Sequence, residues 1–140
     1  MSDRFSSRYG HCQLTLDDGD IAVLGGGGKN DVWRSGDRGS SWRQVCAAAP
    51  WSGRSYFGSC FVRGKLVVFG GNHGPFDAWE SSDRGTSWEK LPATGITGQL
   101  SYFGYCANRE GSIFVIGGYS PAKAEVHRSD DGGRSWRLVH

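Results

Sequence analysis

The sequence predicts an all-β chain built from three consecutive units of four short strands each. The motif S-x-D-x-G-x-S-W occurs three times, and its final tryptophans, Trp42, Trp88 and Trp136, lie 46 and 48 residues apart. Short apolar runs that end in a Gly-Gly pair recur in the same step, at 25–26, 70–71 and 117–118. No segment shows the periodicity of an amphipathic helix, so the repeat is a repeat of strands.

Composition and charge exclude several classes of protein for this chain. The 140 residues contain 23 Gly but only 4 Pro, and 13% are aromatic, including 6 Trp, which excludes a collagenous or disordered chain. The formal net charge is +2, so no nucleic-acid or membrane-surface partner is expected. No apolar run is long enough to span a membrane, and residues 1–4 show no start of a secretory leader.

Each unit is predicted to contain four short strands. The first strand holds a Gly-x-Cys segment, as in 101–107. The second is an apolar run that implies burial on both faces, at 21–24, 66–69 and 113–116. The third strands are predicted at 31–35, 77–81 and 125–129, and the fourth at 42–45, 88–91 and 136–139. The units cover about 5–48, 53–94 and 99–140 of one repeat domain spanning 1–140.

Four strands in every 46–48 residues are typical of β-propeller blades. The S-x-D-x-G-x-S-W segment resembles the Asp-box (BNR) repeat of sialidase-type propellers, and the strand ending in Gly-Gly, followed by Asp-x-Trp, is similar to a kelch repeat. The resemblance covers about residues 8–139. It implies a propeller fold, but such propellers include hydrolases, oxidases, lectins and scaffolds, so it does not specify a function.

The repeated motif residues are interpreted as structural rather than catalytic or metal-binding. An aspartate can accept hydrogen bonds from backbone N–H groups across a tight turn, a glycine supplies a positive φ, and the tryptophan packs the outer strand. Identical residues in every unit describe a rule of the fold, whereas an active site is usually asymmetric. These residues are Asp37, Gly39, Trp42, Asp83, Gly85, Trp88, Asp131, Gly133 and Trp136.

Cysteines and histidines give no sign of a metal or cofactor. Cys12, Cys60 and Cys106 are expected at equivalent positions of the first strands, 48 and 46 residues apart, and Cys46 has no counterpart. All four are expected to be free thiols, which favours a reducing, cytoplasmic compartment. His73 is the one histidine placed on the face where a propeller carries its ligand.

A ligand site is expected on the face formed by the loops after the second and fourth strands. Ser7-Arg8, Ser55-Tyr56 and Ser101-Tyr102 are expected at equivalent positions there. Rings beside amides and carboxylates suit a sugar or a peptide. The acids Asp31, Asp77 and Glu125 also suit strand capping and pairing with nearby bases, and their recurrence favours that interpretation. The predicted ligand-binding residues are Arg8, Asn30, Asp31, Trp51, Arg54, Tyr56, Asn72, His73, Asp77, Tyr102, Tyr119 and Glu125.

The favoured function is a non-enzymatic module that binds a carbohydrate, or more broadly a protein partner. The alternative is a sialidase-like glycoside hydrolase, for which Arg8, Arg54, Tyr56, Tyr102 and Asp31 supply residue types. No Arg-Ile-Pro segment of the kind that marks sialidases is present. A third reading is an engineered or excised half-propeller with no function beyond assembly.

Three blades are too few for a closed ring, since propellers have about 4 to 8 blades. An isolated arc would expose two apolar blade faces, which soluble monomers avoid. Six is the multiple of three within the permitted range. The sequence therefore predicts a homodimer that forms a six-bladed ring, with the third blade of each copy packed on the first blade of the other.

Overall fold

The computed structural model describes residues 4–119 and 121–140, and throughout these residues the chain is all-β. Every strand is short, between two and seven residues. The strands are β1 Cys12–Thr15, β2 Ile21–Gly26, β3 Lys29–Ser35, β4 Arg43–Cys46, β5 Gly58–Val62, β6 Lys65–Phe69, β7 Ala78–Ser81, β8 Glu89–Leu91, β9 Gly104–Ala107, β10 Ile113–Ile116, β11 Val126–Ser129 and β12 Arg137–Leu138. No helix that could span a membrane occurs in the described ranges.

The strands form three four-stranded antiparallel sheets in simple meander order: β1 to β4 (sheet 1), β5 to β8 (sheet 2) and β9 to β12 (sheet 3). The prediction of an all-β chain with three four-stranded units is confirmed. The first strand of sheet 3 begins at Gly104 rather than at 101, because Ser101 instead pairs with Tyr119 in an isolated bridge.

The sheets pack side by side through two hydrophobic cores. Strand β5 lies next to both β1 and β9, so the first strands of the sheets are neighbours. One core joins sheets 1 and 2 through residues such as Leu24, Trp51 and Leu66, and the other joins sheets 2 and 3 through residues such as Phe69 and Ile113. This arrangement of sheets is consistent with a propeller-type fold.

The cysteine alignment expected from the sequence is wrong by two residues in the first unit. Cys60 pairs with Val67 and Cys106 with Phe114, which are equivalent positions of β6 and β10, but Cys12 pairs with Leu24. Cys12 therefore matches Gly58 and Gly104. The four cysteines are unpaired: Cys12 and Cys60 are buried, Cys46 is half-buried and Cys106 is exposed.

The same offset corrects the predicted equivalence of Arg8, Tyr56 and Tyr102. The amide of Tyr56 donates to the carbonyl of Gly10 over 2.8 Å, and the amide of Tyr102 donates to the carbonyl of Tyr56 over 3.0 Å. Gly10, Tyr56 and Tyr102 thus occupy matching positions. Arg8 matches Arg54, two residues earlier than the gapless alignment indicated.

Candidate functional site

The motif segments 35–42, 81–88 and 129–136 form hairpins, here called the motif hairpins, that hold themselves closed by the same hydrogen bonds. In the first, the Ser35 hydroxyl donates to Asp37 over 2.8 Å and accepts from the amide of Gly39 over 2.8 Å. The Ser41 amide and hydroxyl both donate to Asp37, over 2.8 and 2.5 Å. The carboxylate is thus fully engaged by its own turn.

The second and third hairpins repeat this geometry around Asp83 and Asp131. Each indole donates to the carbonyl of the motif glycine, at 3.1 Å from Trp42, 3.0 Å from Trp88 and 3.1 Å from Trp136. Gly39, Gly85 and Gly133 have φ values of 89°, 103° and 99°, a region that favours glycine. These contacts tie the outer strand to its turn and leave the aspartates no role at a ligand site.

The hydrogen bonds lower the pKa of the first motif aspartate. Donation by the Ser41 hydroxyl, then by the Ser41 amide and the Ser35 hydroxyl, lowers the pKa of Asp37 to about 2. In Asp83 and Asp131 burial opposes ionisation, but the matching serine donors outweigh it and the pKa values again lie below the ordinary range. The three carboxylates are therefore ionised throughout the physiological range.

A second repeated structure joins the segment that precedes β1 to β3 in sheet 1. The Arg8 guanidinium makes a two-point contact with Asp31, at 2.7 and 3.0 Å, and also donates to the carbonyl of Gly25 over 2.9 Å. The Trp33 indole donates to the same carboxylate over 2.9 Å. We call this Arg–Asp–Trp group a clamp.

Sheet 2 carries the same clamp around a fully buried arginine. Arg54 contacts Asp77 at 2.7 and 3.2 Å and donates to the carbonyl of Gly70 over 2.9 Å, while the Trp79 indole donates to Asp77 over 3.0 Å. His73 Nε2 lies 3.0 Å from Asp77 Oδ1. Burial opposes ionisation of Asp77, but the His73 and Arg54 contacts outweigh it and hold its pKa far below the usual range.

Sheet 3 lacks the clamp, because the three positions carry different residues. Leu100, buried, replaces the arginine, and His127 replaces the tryptophan. Glu125 replaces the aspartate, and within the described part of the chain its carboxylate has two distant ion-pair partners, Lys123 Nζ at 4.0 Å and His127 Nε2 at 3.7 Å. The third unit is therefore built differently on the loop face.

The buried positions correct part of the predicted ligand set. Trp51 and Arg54 have no exposed surface, so neither can touch a ligand on the loop face as predicted. The Arg8 side chain is buried as well, and Asp31 and Asp77 are partly buried and engaged by the clamps. The sequence contains a pattern that indicates the clamps, because the arginine and the aspartate are 23 residues apart in both.

Two predicted amide residues also have structural partners. The Asn30 side-chain amide donates to the carbonyl of Ala49 over 3.0 Å, and the Asn72 side-chain oxygen accepts from the amide of Ser55 over 3.0 Å. Asn30 therefore fixes the linker between sheets 1 and 2, and Asn72 fixes the loop beside Tyr56. Asn72 stays exposed and available at the edge of the face.

The structure brings three of the predicted residues together in a row of tyrosine rings. Tyr56 and Tyr102 stack with centroids 3.9 Å apart and planes 16° apart, and Tyr119 meets Tyr102 edge-on at 6.5 Å. Tyr9, which the sequence reading missed, extends the row with its centroid 6.2 Å from that of Tyr56. We call Tyr9, Tyr56, Tyr102 and Tyr119 the tyrosine row.

The row is open to solvent although its rings are large and mostly apolar. Tyr9, Tyr102 and Tyr119 expose 65%, 58% and 56% of their surface. Hydrogen bonding to Tyr102, followed by partial desolvation, raises the pKa of Tyr56, so this hydroxyl stays neutral at physiological pH. A contiguous exposed aromatic surface of this kind is typical of a binding site.

The backbone under the row is strained at its two central residues. Tyr56 and Tyr102 have φ values of 56° and 58°, where a bulky side chain is disfavoured, whereas the matching position in sheet 1 is Gly10 at 66°. Non-glycine residues persist in this region when surrounding structure enforces it, and they concentrate at functional sites. Here the bonds from the Tyr56 amide to Gly10 and from the Tyr102 amide to Tyr56 enforce it.

The described residues contain no cluster of His, Cys, Asp or Glu arranged to hold a metal ion. The buried thiols of Cys12 and Cys60 are unreactive as well. Burial raises the pKa values of Cys12 and Cys60 to about 12, and Cys12 Sγ lies 3.5 Å from the Tyr105 hydroxyl. The chemistry that the loop face offers is that of tyrosine rings and hydroxyl groups.

No family model and no curated protein matches the chain. Solved structures match its fold. The structure of YjhT superposes with a TM-score of 0.76 at 16% identity, over 99% of this chain and 53% of that one. A protein of unknown function from Dyadobacter fermentans DSM 18053 superposes with a TM-score of 0.62 at 18% identity, over 90% of this chain and 48% of that one.

These comparisons show a shared fold and nothing about activity, because the identities are low. The chain spans about half the length of each solved structure it matches.

Proposed function

We propose that the chain is a non-enzymatic β-propeller module of the Asp-box or kelch-like kind that binds a carbohydrate on the tyrosine row. The observation that carries the proposal is the row itself, in which four neighbouring rings stand on the loop face and three of them are more than half exposed. A protein partner is the broader alternative for the same surface.

Tyrosine suits a sugar because its ring covers the apolar face of a pyranose while its hydroxyl donates to or accepts from the sugar hydroxyls. The stacked Tyr56 and Tyr102 rings hold each other in place, so little side-chain entropy is lost when a ligand binds. The exposed Asn72 lies beside the row and adds an amide for orientation. The positive φ values at Tyr56 and Tyr102 are unfavourable for a bulky residue, so the presence of tyrosine at both positions supports a role of the rings in binding.

The sialidase-like alternative receives less support from the same geometry. A carboxylate-binding arginine cluster needs guanidinium groups that are free to meet the substrate. Arg8 and Arg54 already make two-point contacts with Asp31 and Asp77, and Arg54 is fully buried. Releasing either arginine would leave a buried aspartate without its partner, which is costly.

The proposal includes assembly of two copies into a six-bladed ring. The arc leaves Ile116 and Val139 of sheet 3 exposed at one end, and sheet 1 of a second copy supplies a face that can cover them. The solved structures that share the fold have about twice the length of this chain, which supports a ring of about six units. Such an arrangement places two tyrosine rows around one axis.

The test of the binding proposal is a glycan array followed by calorimetric titration of each hit. We expect binding to the full chain, no release of product from fluorogenic glycosides, and a loss of affinity of at least about tenfold for Tyr102→Ala. Tyr105→Phe is the matched control, since Tyr105 lies among the core residues and outside the row. Glycan binding that survives Tyr102→Ala, or turnover of a glycoside, contradicts the proposal. Binding of peptides alone favours the protein-partner alternative.

A further inference from the structure

Sheet 3 exposes the face that sheets 1 and 2 each bury against the next sheet. Ile116 of β10 matches Leu24 and Phe69, which are completely buried, yet 46% of Ile116 is exposed. Val139, which matches Cys46 and Leu91, is 45% exposed. Together with Phe114, Val126 and Arg128 these two residues form what we call the front face.

The opposite face of sheet 1, which we call the back face, carries the half-buried Phe5, His11, Gly39 and Trp42 and the exposed Ser40. Trp42 is half-buried, whereas the matching Trp88 and Trp136 are buried. A groove of about 950 Å³ runs between residues 4–7 and the first motif hairpin, with Phe5 and Trp42 in its wall. Phe5 packs edge-on against Trp42 at 5.0 Å, as Trp51 packs against Trp88 at 5.7 Å.

The two contacts between neighbouring sheets show what each face is shaped to meet. A Cβ added to Gly85 would lie 2.9 Å from Val32 of sheet 1, and one added to Gly133 would lie 3.3 Å from Val67 of sheet 2. The motif glycine thus lets the neighbouring sheet approach closely. Among the residues that the structure describes, a Cβ added to Gly39 would meet Trp42 of its own hairpin and no atom of a neighbouring sheet.

A second contact between neighbouring sheets joins the first glycine of a Gly-Gly pair to a phenylalanine ring of the next sheet. A Cβ on Gly25 would lie 3.0 Å from the Phe57 ring, and one on Gly70 would lie 2.7 Å from the Phe103 ring. The next pair in this series is Gly117, at the end of β10, and His11, which occupies the position of Phe57 and Phe103. The two members of this pair lie at opposite ends of the arc.

A polar contact fixes the register at the outer rim. Arg134 of the third motif hairpin donates to Glu80 of β7 over 2.7 Å. The residue that matches Arg134 in sheet 1 is the exposed Ser40, and the residue that matches Glu80 in sheet 3 is Arg128. The guanidinium of Arg128 stacks over Phe114 at 5.8 Å and donates to Asp130 over 2.7 Å.

We infer that the front face of one copy docks on the back face of a second copy in the register of the internal sheet contacts. The inference rests on the proposed ring and specifies its interface. Val126 and Val139 of one copy pack on Gly39 and Trp42 of the other, Gly117 receives His11, and Arg128 lies opposite Ser40. The interface is heterologous, and the two-fold operation forms it twice, which closes the assembly.

The experiment measures the mass and the dimer dissociation constant of the full chain by sedimentation. We expect wild type at twice the 15.2 kDa mass of one chain. Ile116→Asp weakens dimerisation by about a hundredfold or more, because it places a carboxylate in an apolar contact. The matched control is Leu138→Asp, since Leu138 is 59% exposed but lies next to Val139 in sequence and on the opposite side of the strand.

Two charge variants at Ser40 test the register. The position tolerates a charged side chain in sheet 3, where it is Arg134, so both variants are expected to fold. Ser40→Glu lies opposite Arg128 and tightens the dimer about two- to fivefold at low salt, whereas Ser40→Arg weakens it by a similar factor.

The outcomes separate the inference from the proposal on which it rests. A wild-type mass of one chain overturns the ring and this interface together, while glycan binding is measured independently. A dimer that Ile116→Asp dissociates, but that responds identically to Ser40→Glu and Ser40→Arg, overturns the inferred register and indicates a front-to-front pairing. A dimer untouched by Ile116→Asp overturns the assignment of the front face.

Discussion

Arg54 and Asp77 are 23 residues apart in the chain and form a two-point ion pair, at 2.7 and 3.2 Å, around a guanidinium that solvent does not reach. The pair joins the loop that precedes β5 to the residue that precedes β7. Arg8 and Asp31 repeat it in sheet 1. Arginines that the sequence offers as ligand-binding groups therefore hold the loop face in shape.

Removing the Arg54 side of the clamp should destabilise the fold strongly. In Arg54→Met the Asp77 carboxylate remains mostly buried without its cation, and we expect a loss of about 3 to 5 kcal/mol in the free energy of unfolding. Urea denaturation provides the measurement. Glu125→Gln at the matching acidic position of sheet 3 is the control, with an expected change within about 0.5 kcal/mol. Equal losses in the two variants would refute the structural role of the clamp.

Acid should weaken the motif hairpins in a defined window of pH. The pKa of Asp37 is about 2 in the folded chain, below the value of about 3.9 for an unfolded aspartate. Since the folded value is the lower one, the stabilisation is complete above the unfolded pKa and is lost as the pH falls from about 4 towards 2. We expect the melting temperature to fall across this window.

The variant Ser41→Ala isolates this effect, because it removes the hydroxyl that contributes most to the shift. Its melting temperature should lie below that of wild type at pH 6, and the gap should narrow as the pH approaches 2. A gap of constant size across this range would show that the Ser41 hydroxyl acts independently of the Asp37 charge.

The Tyr102 side chain is expected to favour ligand binding but to destabilise the fold through its positive φ. Tyr102→Ala and Tyr102→Gly both remove the ring and should both abolish ligand binding. Glycine adopts the φ of 58° without a Cβ penalty, as Gly10 does at the matching position. We therefore expect Tyr102→Gly to be more stable than Tyr102→Ala by about 1 kcal/mol in thermal or urea denaturation. If alanine is the more stable replacement, the backbone strain is not significant.

The cysteines should differ sharply in their reaction with alkylating agents. In Ile116→Asp, which keeps the front face open, the exposed Cys106 should react first at pH 8. Cys12 and Cys60 should react only on unfolding, since burial raises their pKa values to about 12 and shields them from the reagent. Mass spectrometry of the labelled peptides identifies the order. Early labelling of Cys60 would contradict the packing between sheets 2 and 3.

The repeated features were readable from the sequence because each is set by local chemistry. The motif around Asp37, with serines two residues before and four residues after it, can form its hydrogen bonds within one turn, so pattern and structure coincide. Apolar runs such as 66–69 likewise predicted the buried second strands. These signals depend on neighbours in the chain and need no knowledge of the fold.

The errors arose where position depends on contacts between units. Aligning Cys12 with Cys60 without a gap made Arg8 equivalent to Tyr56. The hydrogen bond from the Tyr56 amide to the Gly10 carbonyl and the strand pairing instead define a register shifted by two residues. Tyr9 was missed for this reason. Pairing of Asp31 and Asp77 with nearby bases was predicted from their recurrence, and the clamps show it. Exposed and buried arginines look alike in a sequence, however, and only the fold shows that Arg54 is enclosed.

The absence of a clamp from sheet 3 bears on how a ligand would be accommodated. Tyr119 lies in the connection between β10 and β11, where Leu100 and Glu125 replace the arginine and aspartate that anchor this connection in sheets 1 and 2. Among the described residues, two backbone hydrogen bonds with Ser101 hold Tyr119 to the row. The row thus has its centre at the stacked Tyr56 and Tyr102 and a flank at Tyr119 that no clamp anchors. Under the proposed function, we expect ligands of different bulk to share their contacts at the centre and to differ mainly in their contacts with Tyr119.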